Sequence, residues 1–175
     1  KLNFNSFVVH ISLSNNSFNL IILLAASSSV DLLDSLDWIT IVCFIISGKN
    51  SYFKSGASNL FKNSFKDKTT FFYFKKNFIP EIAELKTIIL KLHKFKPDLI
   101  IAIGGGSVLD YAKSASVLNV SNNLKNRIIS SNLKIKKKLY KLIAIPTTGG
   151  SGAEVTASSV IYINKRKYSI ENELL

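Results

Sequence analysis

A chain of 175 residues with 47% hydrophobic residues is long enough for one domain with a buried core, which excludes a disordered protein. Lys and Arg outnumber Asp and Glu by 23 to 11, but the lysines are scattered among many Asn, Ile, Phe and Ser residues. This pattern favours compositional drift over a nucleic-acid surface. No apolar run reaches the roughly 20 residues of a membrane helix, so we expect neither a nucleic-acid nor a membrane partner.

The first 49 residues predict one clear element. Within residues 1–37, "SFVVHISL" is compatible with a strand and "FNLIILLAASSSVDLLDSL" with a helix. Residues 38–49, "WITIVCFIISGK", form a continuous apolar run that Gly48 ends, which predicts a strand buried on both faces. Cys43, the single cysteine, is interpreted as a small core residue, and its isolation favours a reducing, cytoplasmic location.

The next stretch predicts a helix over 51–65, a short aromatic strand over 71–74 and a longer helix that Pro97 ends. Pro80 suits the first position of that longer helix. Its apolar residues recur at helical spacing, and they are Ile82, Leu85, Ile88, Ile89 and Leu92. His93 is interpreted as a surface residue, because no second His or Cys lies one turn away.

The rest of the chain alternates between strand and helix patterns. The predicted elements are a buried strand over 99–103, a helix over 107–118, a polar loop with one short element over 119–138, a buried strand over 139–145 and a hairpin over 158–170 that turns at 164–166. This alternation predicts an α/β fold, a parallel sheet with helices on both faces.

Three glycines join the strand over 99–103 to the helix that follows it. Gly104, Gly105 and Gly106 have no Cβ, so a phosphate could approach the unpaired N–H groups at the helix N-terminus. Ser107 is a candidate helix cap, with Asp110 three residues later as in a capping box, and its hydroxyl could also donate to a phosphate. A ligand-free turn would need fewer glycines, but the pattern is neither G-x-G-x-x-G nor a P-loop.

A second loop of small residues, "PTTGGSGAEVT", follows the predicted strand over 139–145. Loops at the carboxyl ends of neighbouring parallel strands flank one crevice, which is where ligands bind in open sheets. The hydroxyl groups of this second loop therefore suit a sugar–phosphate ligand.

The two motifs together resemble those of the iron-containing (group III) alcohol dehydrogenases. "IAIGGGSVLDYAK" is similar to the family pattern G-G-G-S-x-x-D-x-A-K, and "IPTTGGSGAEVT" to P-T-T-x-G-T-G-S-E-V-T, in the same order. The similarity extends from about Ile39 to Tyr168. It implies a two-domain enzyme in which a Rossmann-like α/β domain with a small hairpin binds NAD or NADP. A helical domain then holds Fe2+ or Zn2+ for hydride transfer between the nicotinamide and a small alcohol or aldehyde.

The resemblance assigns roles to particular positions. From the first motif, Gly104, Gly105, Gly106 and Ser107 are implied to hold the cofactor pyrophosphate, and Asp110 is implied to line the cleft beside it.

The second motif and the hairpin complete the implied cofactor site. Thr147, Thr148 and Ser151 are implied to contact the adenosine and phosphate portion, and Thr156 lies in the same loop region. Lys167 matches a family lysine that reaches the cofactor ribose.

The sequence departs from the family where many NAD-using members carry an acidic residue for the ribose hydroxyls. Gly48 and Lys49 stand there instead, which removes repulsion against a 2′-phosphate and supplies a cation to pair with it. We therefore expect NADP in preference to NAD. A common Asn-Pro pair is also replaced by "NFIP", which puts that contact in doubt.

A further departure concerns the metal. The family's ligands, an Asp and three His, belong to the helical domain, and the sequence ends at Leu175 before any of them, while His10 and His93 have no partner at ligand spacing. We expect residues 1–175 to be a single dinucleotide-binding domain with no catalytic or metal-binding residue and no activity alone. The metal and a homodimer are expected only in a longer form.

Three alternatives remain open. The chain could be a free-standing or degenerate nucleotide-binding module, or a relative of dehydroquinate synthase and glycerol dehydrogenase, which share the architecture. A nucleic-acid binder rests on net charge alone.

Overall fold

The computed structural model describes residues 7–8, 13–14, 17–18, 42–59 and 69–175. Its strands are β1 Phe7–Val8, β2 Leu13–Ser14, β3 Ser17–Phe18, β4 Cys43–Gly48, β5 Thr70–Lys75, β6 Leu99–Gly104, β7 Lys141–Pro146, β8 Ser158–Ile163 and β9 Arg166–Glu171. Its helices are α1 Lys49–Lys54, α2 Ile82–Phe95, α3 Gly106–Val117 and α4 Leu124–Ile129.

The main sheet has five strands in the order β1-β7-β6-β4-β5, and every neighbouring pair is parallel. The α/β fold with a parallel sheet is therefore confirmed. β6 lies at the centre with every residue buried, as a continuous apolar run predicts for a strand covered on both faces. The strands β2 and β3 form a separate antiparallel pair, and so do β8 and β9, which confirms the predicted hairpin.

The two faces of the sheet are covered by different helices. Along β4, Phe44 and Ile46 join the core that α2 and α3 complete, whereas Cys43 and Ile45 join Tyr52 of α1 on the opposite face. This alternation follows from the two-residue repeat of a strand. Cys43 is completely buried, as predicted.

The predicted apolar face of α2 is confirmed, but the prediction that Pro80 is the first residue of this helix was wrong. The helix begins at Ile82, and Glu81 is its N-cap in an extended conformation. The chain is held extended there because the Pro80 carbonyl accepts the Tyr162 N–H at 2.7 Å and the Glu81 N–H donates to the Tyr111 hydroxyl at 2.7 Å. His93 lies at the surface, as predicted.

The end of α2 follows the sequence signal. Lys96 caps the helix in the left-handed conformation, with φ 51°, and its N–H donates to the Leu92 carbonyl at 2.8 Å. Pro97 comes next and cannot continue the helix.

The prediction that Ser107 caps α3 was also wrong. The N-cap is Gly105 in an extended conformation, and no side chain caps this helix. Ser107 is thus already the second helical residue. Asp110 accepts a hydrogen bond from the Val160 N–H of β8 rather than closing a capping box.

The other predicted elements shift in their limits. The helix expected over 51–65 begins earlier, at Lys49, and α1 ends at Lys54, before Gly56 adopts φ 78°. The backbone is helical again over residues 57–59. Most of the strand and helix patterns in residues 1–41, and residues 60–68, lie outside the described residues. Among the helices of the described ranges, none is long and apolar enough to cross a membrane.

Candidate nucleotide-binding site

The carboxyl ends of β6 and β7 bring the two small-residue loops together. Gly104 and Pro146 are paired in register at the ends of these strands. The Thr147 N–H donates to the Gly104 carbonyl at 3.0 Å, so the second loop starts directly beside the glycine turn. The two loops that the sequence predicts to be neighbours are thus in contact where they begin.

The hydroxyl residues of the second loop face the glycines of the first. A Cβ at Gly105 would lie 2.9 Å from the Thr148 Oγ1, and a Cβ at Gly106 would lie 3.5 Å from the Ser151 Oγ. The missing side chains therefore leave space in which Thr148 and Ser151 approach the backbone at the start of α3. Gly104 differs, because a Cβ there would lie 2.5 Å from the Val108 Cγ2. Its glycine is explained by packing within the turn.

The N-terminus of α3 provides donors for an anion. The N–H groups of Val108 and Leu109 donate to the Gly105 carbonyl at 2.9 and 3.3 Å. The N–H groups of the first helical residues, Gly106 and Ser107, have no intrahelical acceptor by the geometry of a helix start, and the N-cap Gly105 has no side chain that could accept from them. With the partial positive charge of the helix end, this turn fits a phosphate or pyrophosphate group.

Asp110 lies one turn further along α3, between the helix and the hairpin. Its carboxylate accepts from the Val160 N–H and is attracted by the positive charges of Lys113 and Lys167. Burial, the largest influence, raises the pKa of Asp110 above its ordinary value. Lys167 of β9 is therefore near enough to Asp110 for its charge to act on the pKa of that carboxyl group.

Lys113 is a functional candidate to which the motif reading assigned no role. The side chain is buried, and its Nζ donates to the carbonyls of Ala153, Thr156 and Ser158 and to the Thr156 Oγ1. Thr156, a predicted cofactor residue, thus offers both of its oxygens to this lysine. The available signal was a lysine amid small residues, "YAKSAS", one turn after Asp110.

The end of β4 places Gly48 and Lys49 on the same edge of the sheet, one strand away from the glycine turn. Gly48 is the N-cap of α1, and Lys49 is its exposed first residue. Lys75 is paired with Gly48 in register, and its Nζ donates to the carbonyls of Asn77 and Phe78 at 2.7 and 3.0 Å. Two lysines therefore flank Gly48, of which the sequence reasoning singled out only Lys49.

Within residues 42–59 and 69–175, no three His, Cys, Asp or Glu side chains come together in a group that could hold a metal ion.

The parallel sheet with helices on both of its faces places the chain among the doubly wound α/β proteins. The sequence profile of the iron-containing alcohol dehydrogenases matches residues 28–175. The chain belongs to this family.

Sequence relatives agree with this assignment. An alcohol dehydrogenase of Thermococcus barophilus is 39% identical over 97 residues, which cover 52% of this chain and 26% of the relative. An aldehyde-alcohol dehydrogenase of Streptococcus pneumoniae is 37% identical over 103 residues, which cover 52% of this chain and 12% of the relative. The match thus spans about a quarter, or less, of the length of these relatives.

Solved structures show the same fold. The iron-containing alcohol dehydrogenase of Thermococcus thioreducens aligns with a TM-score of 0.64 at 27% identity, covering 77% of this chain and 38% of that one. A sulfoacetaldehyde reductase of Bifidobacterium kashiwanohense, solved in complex with NAD+, aligns with a TM-score of 0.65 at 21% identity, covering 78% and 37%.

Proposed function

We propose that residues 1–175 form the single dinucleotide-binding domain of an NAD(P)-dependent alcohol dehydrogenase. The observation that carries this proposal is the contact between the two loops at the start of α3, where Thr148 and Ser151 face Gly105 and Gly106. The family membership and the short share of each relative that is matched support it. The single cysteine fits a cytoplasmic location.

Different residues of the chain hold different parts of the cofactor. The backbone N–H groups of Gly106 and Ser107 bind the pyrophosphate, and the hydroxyls of Thr148 and Ser151 close over it from the second loop. Lys167 reaches the cofactor ribose from the hairpin. When bound, the nicotinamide supplies the hydride chemistry for which a small alcohol or aldehyde is the substrate.

Reaction with the alcohol also needs the metal ligands of the family, in addition to the residues that hold the cofactor. The Thermococcus barophilus relative has about three quarters of its length outside the matched stretch, and we propose that the iron or zinc ligands of the family belong to the corresponding helical domain. We accordingly expect no alcohol oxidation by residues 1–175 alone, with or without added metal. Alcohol-dependent reduction of NADP by the purified chain would contradict this.

We further propose that the chain prefers NADP to NAD. Gly48 carries no carboxylate that would repel a 2′-phosphate, and the exposed Lys49 supplies an ammonium at the end of β4. A charged hydrogen bond to phosphate is among the stronger polar contacts that a protein makes. The neighbouring Lys75 adds positive charge on the adjacent strand.

Titration of the purified chain with NADPH and NADH, followed by the fluorescence of the reduced nicotinamide, tests both proposals. We expect both nucleotides to bind, NADPH more tightly. Lys49→Met should raise the Kd for NADPH by roughly tenfold and leave the Kd for NADH unchanged. Lys54→Met, an exposed lysine at the other end of α1, is the matched control and should change neither. Binding of neither nucleotide contradicts a cofactor domain, and tighter binding of NADH contradicts the preference.

A further inference from the structure

The ammonium group of Lys113 is surrounded by oxygen atoms of one short segment, residues 153–158. These oxygen atoms form a cage around the ammonium, and we call residues 153–158 the caged segment. Nζ donates to the Ala153 carbonyl at 2.9 Å, to the Thr156 carbonyl at 2.7 Å and to the Thr156 Oγ1 at 3.1 Å. The Ser158 carbonyl is a further acceptor. The lysine itself is only 2% exposed.

This cage depends on a cation for its shape. Three carbonyl oxygens that converge on one point repel each other, and each is costly to leave without a donor in a buried position. An ammonium has three N–H donors and no acceptor, so it satisfies such a group better than a neutral side chain does. The ring of oxygens is therefore organised around the charge of Lys113.

Two further contacts attach the chain after the cage to the same face of α3. The Asp110 carboxylate accepts the Val160 N–H, and the Ser114 and Ser159 hydroxyls lie 2.8 Å apart. Positions 110, 113 and 114 share one helix face by their spacing of three and four residues. Lys113 is the central residue of this row, and its acceptors begin furthest back along the chain, at Ala153 within the second loop.

A chain of contacts connects the cage to the proposed cofactor site. Lys113 holds the Ala153 carbonyl, and the Ala153 N–H donates to the Ser151 Oγ at 3.4 Å. The same Ser151 hydroxyl lies 3.5 Å from the place where a Cβ at Gly106 would be. The position of Ser151 beside the start of α3 thus depends on the conformation that the caged segment takes.

We propose that Lys113 is a positioning residue of the nucleotide site, an internal cation around which residues 153–158 fold and which thereby places the Ser151 hydroxyl against the glycine turn. The part of this inference that concerns nucleotide affinity rests on the proposed function. The part that concerns the conformation of the caged segment does not.

The test replaces the side chain and then returns the missing cation. Lys113→Ala leaves a space shaped for propylammonium, which supplies the three lost side-chain carbons and the NH3+ group. We expect the variant to lose hydrogen-exchange protection over residues 151–160 and to bind NADPH roughly tenfold more weakly. Propylammonium at millimolar concentration should restore both. Tetramethylammonium, which has the same charge but no N–H donor, should restore neither, and Lys94→Ala, an exposed lysine of α2, should behave as the wild type.

The outcomes separate this inference from the proposed function. If the wild type binds neither NADPH nor NADH, the proposed function fails, while the exchange measurement without nucleotide still decides whether Lys113 orders the segment. Unchanged protection and affinity in Lys113→Ala overturn the inference, and so does equal restoration by tetramethylammonium. If Lys113→Ala folds only with propylammonium, the inference is supported. If Lys113→Ala folds under neither condition, Lys113→Gln is the variant that tests the inference. Full hydrogen-exchange protection over residues 151–160 with this neutral side chain would show that the segment needs no cation, and would overturn the inference.

Discussion

Two opposing influences act on the pKa of the Asp110 carboxyl group. Burial between α3 and the hairpin raises its pKa, while the Val160 N–H and the charges of Lys113 and Lys167 act in the other direction without cancelling the effect of burial. The folded protein therefore favours the protonated carboxyl relative to the unfolded chain. Ionisation of Asp110 costs stability, and this cost appears as the pH rises through the raised pKa of the folded state.

Asp110→Asn should reveal this cost as a pH dependence. Asparagine keeps an oxygen that can accept the Val160 N–H and carries no charge at any pH. The free energy of unfolding of the variant, relative to that of the wild type, should therefore be higher near pH 7.5 than near pH 4.5. Urea denaturation at both pH values measures it. Ser114→Ala removes a neighbouring contact without a titrating group and should show a pH-independent difference; the same flat result for Asp110→Asn would contradict the prediction.

Among single residues, the sequence predicts those whose role depends on their neighbours along the chain. The glycines and hydroxyls were found because they directly follow apolar strands, and the structure brings Thr148 and Ser151 to Gly105 and Gly106. The role of Lys113 could not be predicted, because its acceptors come from a segment 40–45 residues later in the chain. The mistaken cap at Ser107 has a simpler cause, since the N-cap is Gly105, two residues before the position that the side-chain signal suggested.

Between elements, a buried carboxylate on α2 connects the helix to its surroundings. Glu84 accepts on Oε1 from the Tyr73 hydroxyl and the Lys76 N–H, and on Oε2 from the Tyr111 hydroxyl and the Asn77 N–H. Burial and the nearby carboxylate raise the pKa of both tyrosines, so both remain donors at neutral pH. One side chain thus joins β5, α2, α3 and the turn between the first two.

Glu84→Gln should destabilise the protein by about 1–3 kcal/mol. Each carboxylate oxygen accepts from one backbone N–H, so the amide NH2 of glutamine must face a donor in either orientation. Urea denaturation followed by far-UV circular dichroism measures the loss. Glu81→Gln, in the same turn, keeps an oxygen that can accept from the Asn77 side-chain amide, and should change little. Equal stability of the two variants would show that the donors find other acceptors.

The limits of the elements depend on such contacts. The apolar spacing of α2 predicts its buried face correctly because only local periodicity is needed. Its start does not follow from Pro80, since hydrogen bonds from Tyr162 of the hairpin and to Tyr111 of α3 hold the preceding residues extended. Neither partner is visible in the local sequence.

For the molecule as a whole, the hairpin is part of the core rather than an appendage. Ile161, Ile163 and Ile170 are buried in the same cluster as Phe44 of the central sheet. The hairpin over 158–170 and its turn at 164–166 were predicted, but its packing on α3 was not, and neither was the strand order β1-β7-β6-β4-β5. Both depend on which surfaces meet after the chain crosses over the sheet, and periodicity carries no information about that.

Ile161→Ala should therefore destabilise the entire described sheet. Loss of a fully buried isoleucine leaves a cavity and costs about 2–5 kcal/mol. Native-state hydrogen exchange should show reduced protection in β6 by the same free energy as in the hairpin. Val155→Ala, at a position 67% exposed, should leave both unchanged. Faster exchange confined to β8 and β9 would mean that the hairpin opens independently.

The glycine that ends β6 has a consequence for how this turn can change over evolution. A methyl group at position 104 would need the volume that the Val108 side chain fills, at 2.5 Å from its Cγ2. The space beside position 104 therefore holds either a Cβ at 104 or the valine methyl groups at 108, but not both. A homologue with alanine at 104 would need a smaller side chain at 108. Paired replacements at these two sites, rather than single ones, are the substitutions that natural variation in this turn should contain.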